Sequence, residues 1–171
     1  MKVLVAGIGN IFLGDDGFGV EVVGRMTGGA LPDGVVVADY GIRGVHLAYE
    51  LLDGYDALVL IDAMPMGQEP GTVAIIEPDL DLLVGDRGDD GDAGPGPAMD
   101  AHSMSPAVVL ATLASLGGEI GRVLVVGCEP SVIEEGIGLS DPVSAAVDSA
   151  VEAVHEALTE LGVPSEESSR A

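Results

Sequence analysis

The feature that most constrains how this chain can fold is a series of short aliphatic runs at residues 3–6, 35–38, 57–61, 73–76 and 123–126, several of them continuous. A strand with one face in water alternates apolar and polar residues, whereas a strand covered on both faces has no reason to and reads as an unbroken run. Helical patterns lie between the runs. Residues 17–26 and 45–52 carry apolar side chains at helical spacing. Ser105 and Pro106 supply an N-cap and a first helical position for a helix that runs through Val108, Val109, Leu113 and Leu116 to the Gly117-Gly118 stop. A last helix opens near Asp141-Pro142, with Val143, Val147, Ala150, Val151, Val154 and Leu158 on one stripe. Alternating strands and helices call for right-handed crossovers that lay helices on both faces of a sheet. The expected fold is therefore α/β, three layers in the order α/β/α, around a small, mostly parallel mixed sheet of about five strands. Residues 73–76 follow the third strand through the turn-rich segment 65–71 with no helix between, so that pair is expected to run antiparallel.

At 171 residues the chain fits one domain, expected over residues 1–163 with a frayed acidic tail at 164–171. It is 47% hydrophobic but only 3% aromatic with no Trp, so the core must be aliphatic. Segment 83–100 is dominated by Gly, Asp and Pro and has little apolar surface to offset the entropy of ordering it, which predicts a mobile surface loop.

With 29 acidic against 6 basic residues the formal net charge is −23. Such a field opposes phosphate backbones and anionic lipid, so neither nucleic acid nor membrane is expected as a partner. No segment approaches the roughly 18 apolar residues of a membrane span or has the form of a signal peptide. The single cysteine, Cys128, rules out an intrachain disulfide and a cysteine metal cluster and is read as packing. A cytoplasmic location follows as the expectation.

After the first run comes Gly7-Ile-Gly-Asn-Ile-Phe-Leu-Gly-Asp-Asp-Gly-Phe-Gly19, at a place where many α/β proteins cradle phosphate. A dinucleotide fingerprint needs glycine where Phe12 stands, and a P-loop needs Lys and Ser or Thr where Asp15 and Asp16 stand. The first reading fails on sterics and the second on charge. Acidic residues at a helix start are also explained as caps. However, Asp62 ends the third run and Asp39 the second, both at the carboxyl edge where open α/β sheets bind ligands. First and third strands are neighbours in the usual doubly wound order, which brings Asp16 towards Asp62. Carboxylates converging in one crevice repel, and a cation is the simplest compensation. His102, just ahead of a helix start, would add an imidazole, whereas His46 and His155 read as surface residues. Two carboxylates and one imidazole suit nickel, zinc, iron or manganese.

In these residues the chain resembles the hydrogenase maturation proteases, which remove a C-terminal extension from the large subunit of nickel-iron hydrogenases. The likeness runs through the glycine loop, Asp39-Tyr-Gly-Ile-Arg-Gly44, Ile61-Asp-Ala63, His102-Ser-Met-Ser105 and Val126-Gly-Cys-Glu-Pro130, in the family's order. It implies a three-layer α/β/α fold, with Asp16, Asp62 and His102 contacting metal and Asp39 near the cleavage site. It also implies that the metal is nickel already installed in the precursor, with no organic cofactor, and that the partner is the hydrogenase large-subunit precursor. The stretch before His102 is longer than the family's usual one.

Hydrolysis at such a site leaves the metal as a specificity tether, a Lewis acid or an activator of water, with Asp39 as general base if it is only a tether. Neither a Gly-x-Ser-x-Gly elbow nor a His-Glu-x-x-His helix is present. The alternatives are a non-catalytic metal-sensing chaperone of the immature subunit and a small-molecule amidohydrolase on the same scaffold.

Overall fold

A computed structural model describes residues 1–80 and 106–164. Strands β1 (Val3–Ile8), β2 (Val35–Gly41), β3 (Ala57–Ala63), β4 (Val73–Ile76) and β5 (Arg122–Cys128) form one sheet in the order β2-β1-β3-β5-β4. The first four are joined by parallel pairings, and β4 runs antiparallel to β5. Helices α1 (Phe18–Met26) and α5 (Val147–Glu160) cover one face; α2 (Gly44–Leu51) and α3 (Pro106–Ser115) cover the other.

The two faces explain the unbroken aliphatic runs. Val3, Val5, Val59, Ile61, Leu124 and Val126 pack against Phe18, Val22, Val154 and Leu158, while Leu4, Ala6, Leu58, Leu60, Val123 and Val125 pack against Leu47, Leu51, Val109 and Leu113. Successive residues of β1, β3 and β5 thus serve opposite cores, and alternation would leave a polar group in one of them. The expected α/β/α layering is what the chain adopts.

Three local expectations are corrected. β4 is antiparallel, but its neighbour is β5 and not β3, because β5 takes the edge of β3 that β4 would have needed. The link from β3 to β4 instead passes round the end of β5. Met64 N–H donates to Cys128 O, Gly71 N–H to Glu129 O and Glu129 N–H to Thr72 O, and the Glu129 carboxylate accepts from Met66 N–H. Secondly, the first helix does not start at Gly17; a 3-10 turn, Gly14–Gly17, precedes α1. The N–H groups of Gly14 and Asp15 go to the carbonyls of Gly136 and Val132, so that turn is shaped by a distant loop. Thirdly, the last helix is broken at Ala146 into α4 (Asp141–Ala145) and α5, and both Val143 and Val147 are buried. Segment 83–100, Ser105 and residues 165–171 of the tail lie outside the described residues.

One contact sets the position of everything at the carboxyl edge. Gly19 in the first turn of α1 lies against the main chain of Ile8 and Ile61, and Gly7 of β1 lies against Gly19. A methyl group on Gly19 would overlap the carbonyl oxygens of Ile61 and Ile8, so only glycine lets the helix come this close to both strands. Gly19→Ala is expected to destabilise the fold by about 3 kcal/mol in chemical denaturation, since backbone rather than a movable side chain must give way. Gly24→Ala, on the same helix with open space around it, should be neutral or stabilising by about 0.5–1 kcal/mol. Equal effects of the two changes would show that the close approach is not what the glycine serves.

Candidate active site

The glycine loop leaves β1, turns at Gly9 with φ of 131°, and returns through Gly14 with φ of 60° to deliver two adjacent aspartates. They have different surroundings. Asp16 is partly exposed and accepts the N–H of Asn10 at 2.8 Å, which closes the loop on itself. The Asn10 side chain accepts the N–H of Phe12 at 2.9 Å.

Asp15 points into the protein and is 0% exposed. Its carboxylate accepts the N–H groups of Ser131 and Val132 at 2.8 Å, the N–H of Ser140 at 2.7 Å and the Ser140 hydroxyl at 2.8 Å. Burial alone would raise its pKa, but the bonds from Val132, Ser140 and Ser131 outweigh burial and hold the carboxyl below its ordinary 3.8. Gly136 N–H donates to Phe12 O, and Leu13 and Gly136 form a parallel bridge. The loop after β5 is thereby fastened to the glycine loop. Sequence reasoning missed this role, because two consecutive acids at a helix start look like caps, and Ser140 looks like the cap of the last helix.

Asp62 stands near the end of β3, opposite Gly127 of β5, and is only 5% exposed. Burial, reinforced by the negative charge of Asp16 and opposed by the N–H of Ala63, pushes its pKa up to about 8. The structure therefore brings Asp16 and Asp62 together, as expected from the adjacency of β1 and β3. Asp39 stands apart. It pairs in register with Gly7, which pairs with Ile61, so two strand spacings, about 10 Å, separate its backbone from β3. Its side chain is exposed and lines a groove of about 280 Å³ with the glycine loop and the end of β2.

His102 lies outside the described residues. Among the described residues, no three His, Cys, Asp or Glu side chains cluster as a metal site. His46 and His155 are exposed, as read from the sequence. Cys128 is fully buried, and burial, with the charges of Asp15 and Glu129, lifts its thiol to about 11, which fits packing and not nucleophilic chemistry.

Fold and site together define a three-layer α/β protein that gathers two acidic side chains, Asp16 and Asp62, at the carboxyl edge of its sheet. The family model for hydrogenase maturation proteases matches residues 20–85 and 87–157. The hydrogenase 2 maturation protease of Escherichia coli is 32% identical over 166 residues, covering 95% of this chain and 94% of that protein. The solved structure of the hydrogenase maturating endopeptidase HybD from E. coli superposes with a TM-score of 0.73 at 31% identity, covering 95% of each chain. A hydrogenase 2 maturation peptidase from a Thaumarchaeota archaeon gives 0.66 at 32% identity, covering 92% of this chain and 98% of the other. The chain belongs to the hydrogenase maturation protease family, and it is a peptide-bond hydrolase. The chaperone alternative is not favoured.

The raised pKa of Asp62 has a consequence for stability. Below about pH 4 the carboxyl is protonated in both folded and unfolded chains; between about pH 4 and 8 the folded protein keeps a proton that the unfolded chain has lost. Stability contributed by this group therefore falls as pH rises through that window. Asp62→Asn, which carries no titratable proton, should raise Tm relative to the parent at about pH 8.5, by about 2–4 °C for each kcal/mol relieved, with the gain shrinking towards pH 4. A Tm difference that does not change with pH would mean that Asp62 titrates normally.

Proposed function

We propose that this chain is the endopeptidase that removes the C-terminal extension of a nickel-iron hydrogenase large-subunit precursor after nickel insertion. Asp16, Asp62 and His102 contact the precursor's nickel, and Asp39 acts near the scissile bond. The observation that carries this reading is the burial of Asp62 beside Asp16, which leaves its carboxyl with a pKa of about 8. A divalent cation arriving with the substrate displaces that proton and offsets both the burial and the repulsion. A precursor without metal brings nothing to relieve them. The same physics that destabilises the empty site thus favours the loaded substrate.

His102 completes a mixed oxygen and nitrogen set that suits nickel. The connectivity supports its inclusion. α3 feeds the amino end of β5, so Pro106, four positions after His102, starts the described part of a helix that points back to the carboxyl edge. Nickel is substrate here, not a resident cofactor, and no organic cofactor is invoked. Bound to these residues, it would orient the precursor and polarise a nearby carbonyl.

Asp39, exposed in its groove, is suited to take a proton from water as the hydroxide adds to the scissile carbonyl. The proton then passes to the leaving amine as the C–N bond breaks. The buried Cys128 thiol is a poor competitor for this role. Among the described residues no helix is long and apolar enough to cross a membrane, and we assign the reaction to the cytoplasm.

Incubation with purified nickel-loaded precursor, followed by mass spectrometry, tests the reading. The parent should release the extension from loaded but not from metal-free precursor, and Asp16→Asn and Asp62→Asn should each slow release by about 100-fold or more while remaining folded. Parental rates in both variants would sink the metal contact. Tight binding with no change in precursor mass would favour the metal-sensing chaperone.

A further inference from the structure

On a chain with net charge −23, a cation without an acidic partner is a specific feature. Arg25 pairs with Asp148, and Arg122 pairs with Glu77 and Glu160. Arg43 is the one arginine among the described residues that makes no ion pair. Its guanidinium is nevertheless fixed, since Nη2 donates to Asp39 O at 2.7 Å and Nε donates to Tyr40 O at 3.2 Å. Both acceptors are main-chain carbonyls, so the positive charge is held in place without being neutralised. Nη1 is left to bond with something else.

Where it is held gives the reason. Arg43 is exposed and shares the groove of about 280 Å³ with Asn10, Phe12, Val20, Asp39 and Ile42. Phe12 is 60% exposed and Ile42 is 55% exposed, which gives the groove apolar walls open to solvent. Asn10 is also the residue whose N–H binds Asp16, so one wall of the groove is the loop that carries Asp16. Arg43 bonds the backbone of Asp39 yet forms no ion pair with its carboxylate. One wall therefore presents the Asp39 carboxylate and a guanidinium that makes no ion pair beside apolar side chains. An extended peptide with an aliphatic segment and an acidic group fits these walls, because a preorganised planar fork is the side chain that reads carboxylate most selectively.

We infer that Arg43 is a specificity-determining residue that receives a carboxylate of the precursor's C-terminal extension in this groove. The inference rests on the endopeptidase reading and deepens it. The carboxylate is either an acidic side chain of the extension or its terminal carboxyl group. Fixing the extension at Arg43 lays the chain across the groove past Asp39, which keeps its own charge free because Arg43 does not neutralise it.

The test uses the full-length enzyme and nickel-loaded precursor in three forms: unaltered, with every acidic side chain of the extension changed to its amide, and with the extension ending in a carboxamide. Cleavage kinetics are compared for the parent, Arg43→Ala, Arg43→Gln and Arg43→Glu. Arg43→Gln keeps a donor at the position of Nε for Tyr40 O while removing the charge and the fork, and Arg43→Ala removes both bonds, so comparing the two separates recognition from disturbance of the loop. With unaltered precursor, Arg43→Gln and Arg43→Ala should each raise KM by about 10-fold or more with little change in kcat, as expected for loss of a charge-assisted hydrogen bond. Arg43→Glu should raise it further. The precursor form that lacks the carboxylate being read should show the same raised KM with the parent and no additional loss with Arg43→Gln, which identifies the side chain or the terminus as the source. Unchanged KM in all three variants, or losses of equal size on every precursor form, overturns the assignment. Failure of the parent to cleave loaded precursor would instead remove the endopeptidase reading and this inference with it.

Discussion

The carboxyl edge of this protein depends on how closely α1 approaches the sheet. Gly7 and Gly19 remove the side chains that would hold helix and strands apart, and the first turn of α1 then lies on the main chain of both β1 and β3. Asp16 sits in the 3-10 turn that leads into that helix, and Asp62 lies one residue beyond the contacted Ile61. Their proximity follows from a backbone contact and not from any attraction between them. A pair that repels has to be assembled by something else, and here the apolar packing of α1 through Phe18, Val22 and Val23 supplies it.

Three acidic residues of the site show how hydrogen bonding decides the state of a carboxyl. Asp15 and Asp62 are both buried, yet one is held ionised and the other is driven towards its neutral form. Asp15 receives four donors from the loop after β5, whereas Asp62 has the N–H of Ala63 and a negative neighbour. The first arrangement fixes a loop. The second stores an unfavourable interaction, of the kind that a bound cation would relieve. For Asp62 burial is the larger cause, and the charge of the partly exposed Asp16 adds to it.

Much of the fold was legible because burial on both faces leaves a mark in every residue of a strand. The runs in β1, β3 and β5 gave strand positions, sheet class and the placement of Asp62 at an edge. The neighbour of β4 was not legible, since local pattern carries no information on which of two later strands fills an edge. The 3-10 turn was hidden for a related reason: its N–H groups are satisfied by carbonyls of Val132 and Gly136, more than a hundred residues away. Asp16 and Asp62 were found from their positions at strand and helix ends. Asp15 was passed over because its partners are main-chain N–H groups, which every sequence has. Asp39 was correctly set at the carboxyl edge, but β1 lies between its strand and β3, so it lines a groove of its own beside Arg43.

The central claim is that burial, reinforced by the charge of Asp16, holds the Asp62 carboxyl in its protonated form near neutral pH. The most direct measurement is an NMR titration of the Asp62 side-chain carboxyl carbon in the parent and in Asp16→Asn. The account predicts a midpoint at about 8 in the parent and a lower midpoint in the variant, where burial remains but the neighbouring charge is gone. A midpoint near the ordinary 3.8, unchanged by Asp16→Asn, would contradict it.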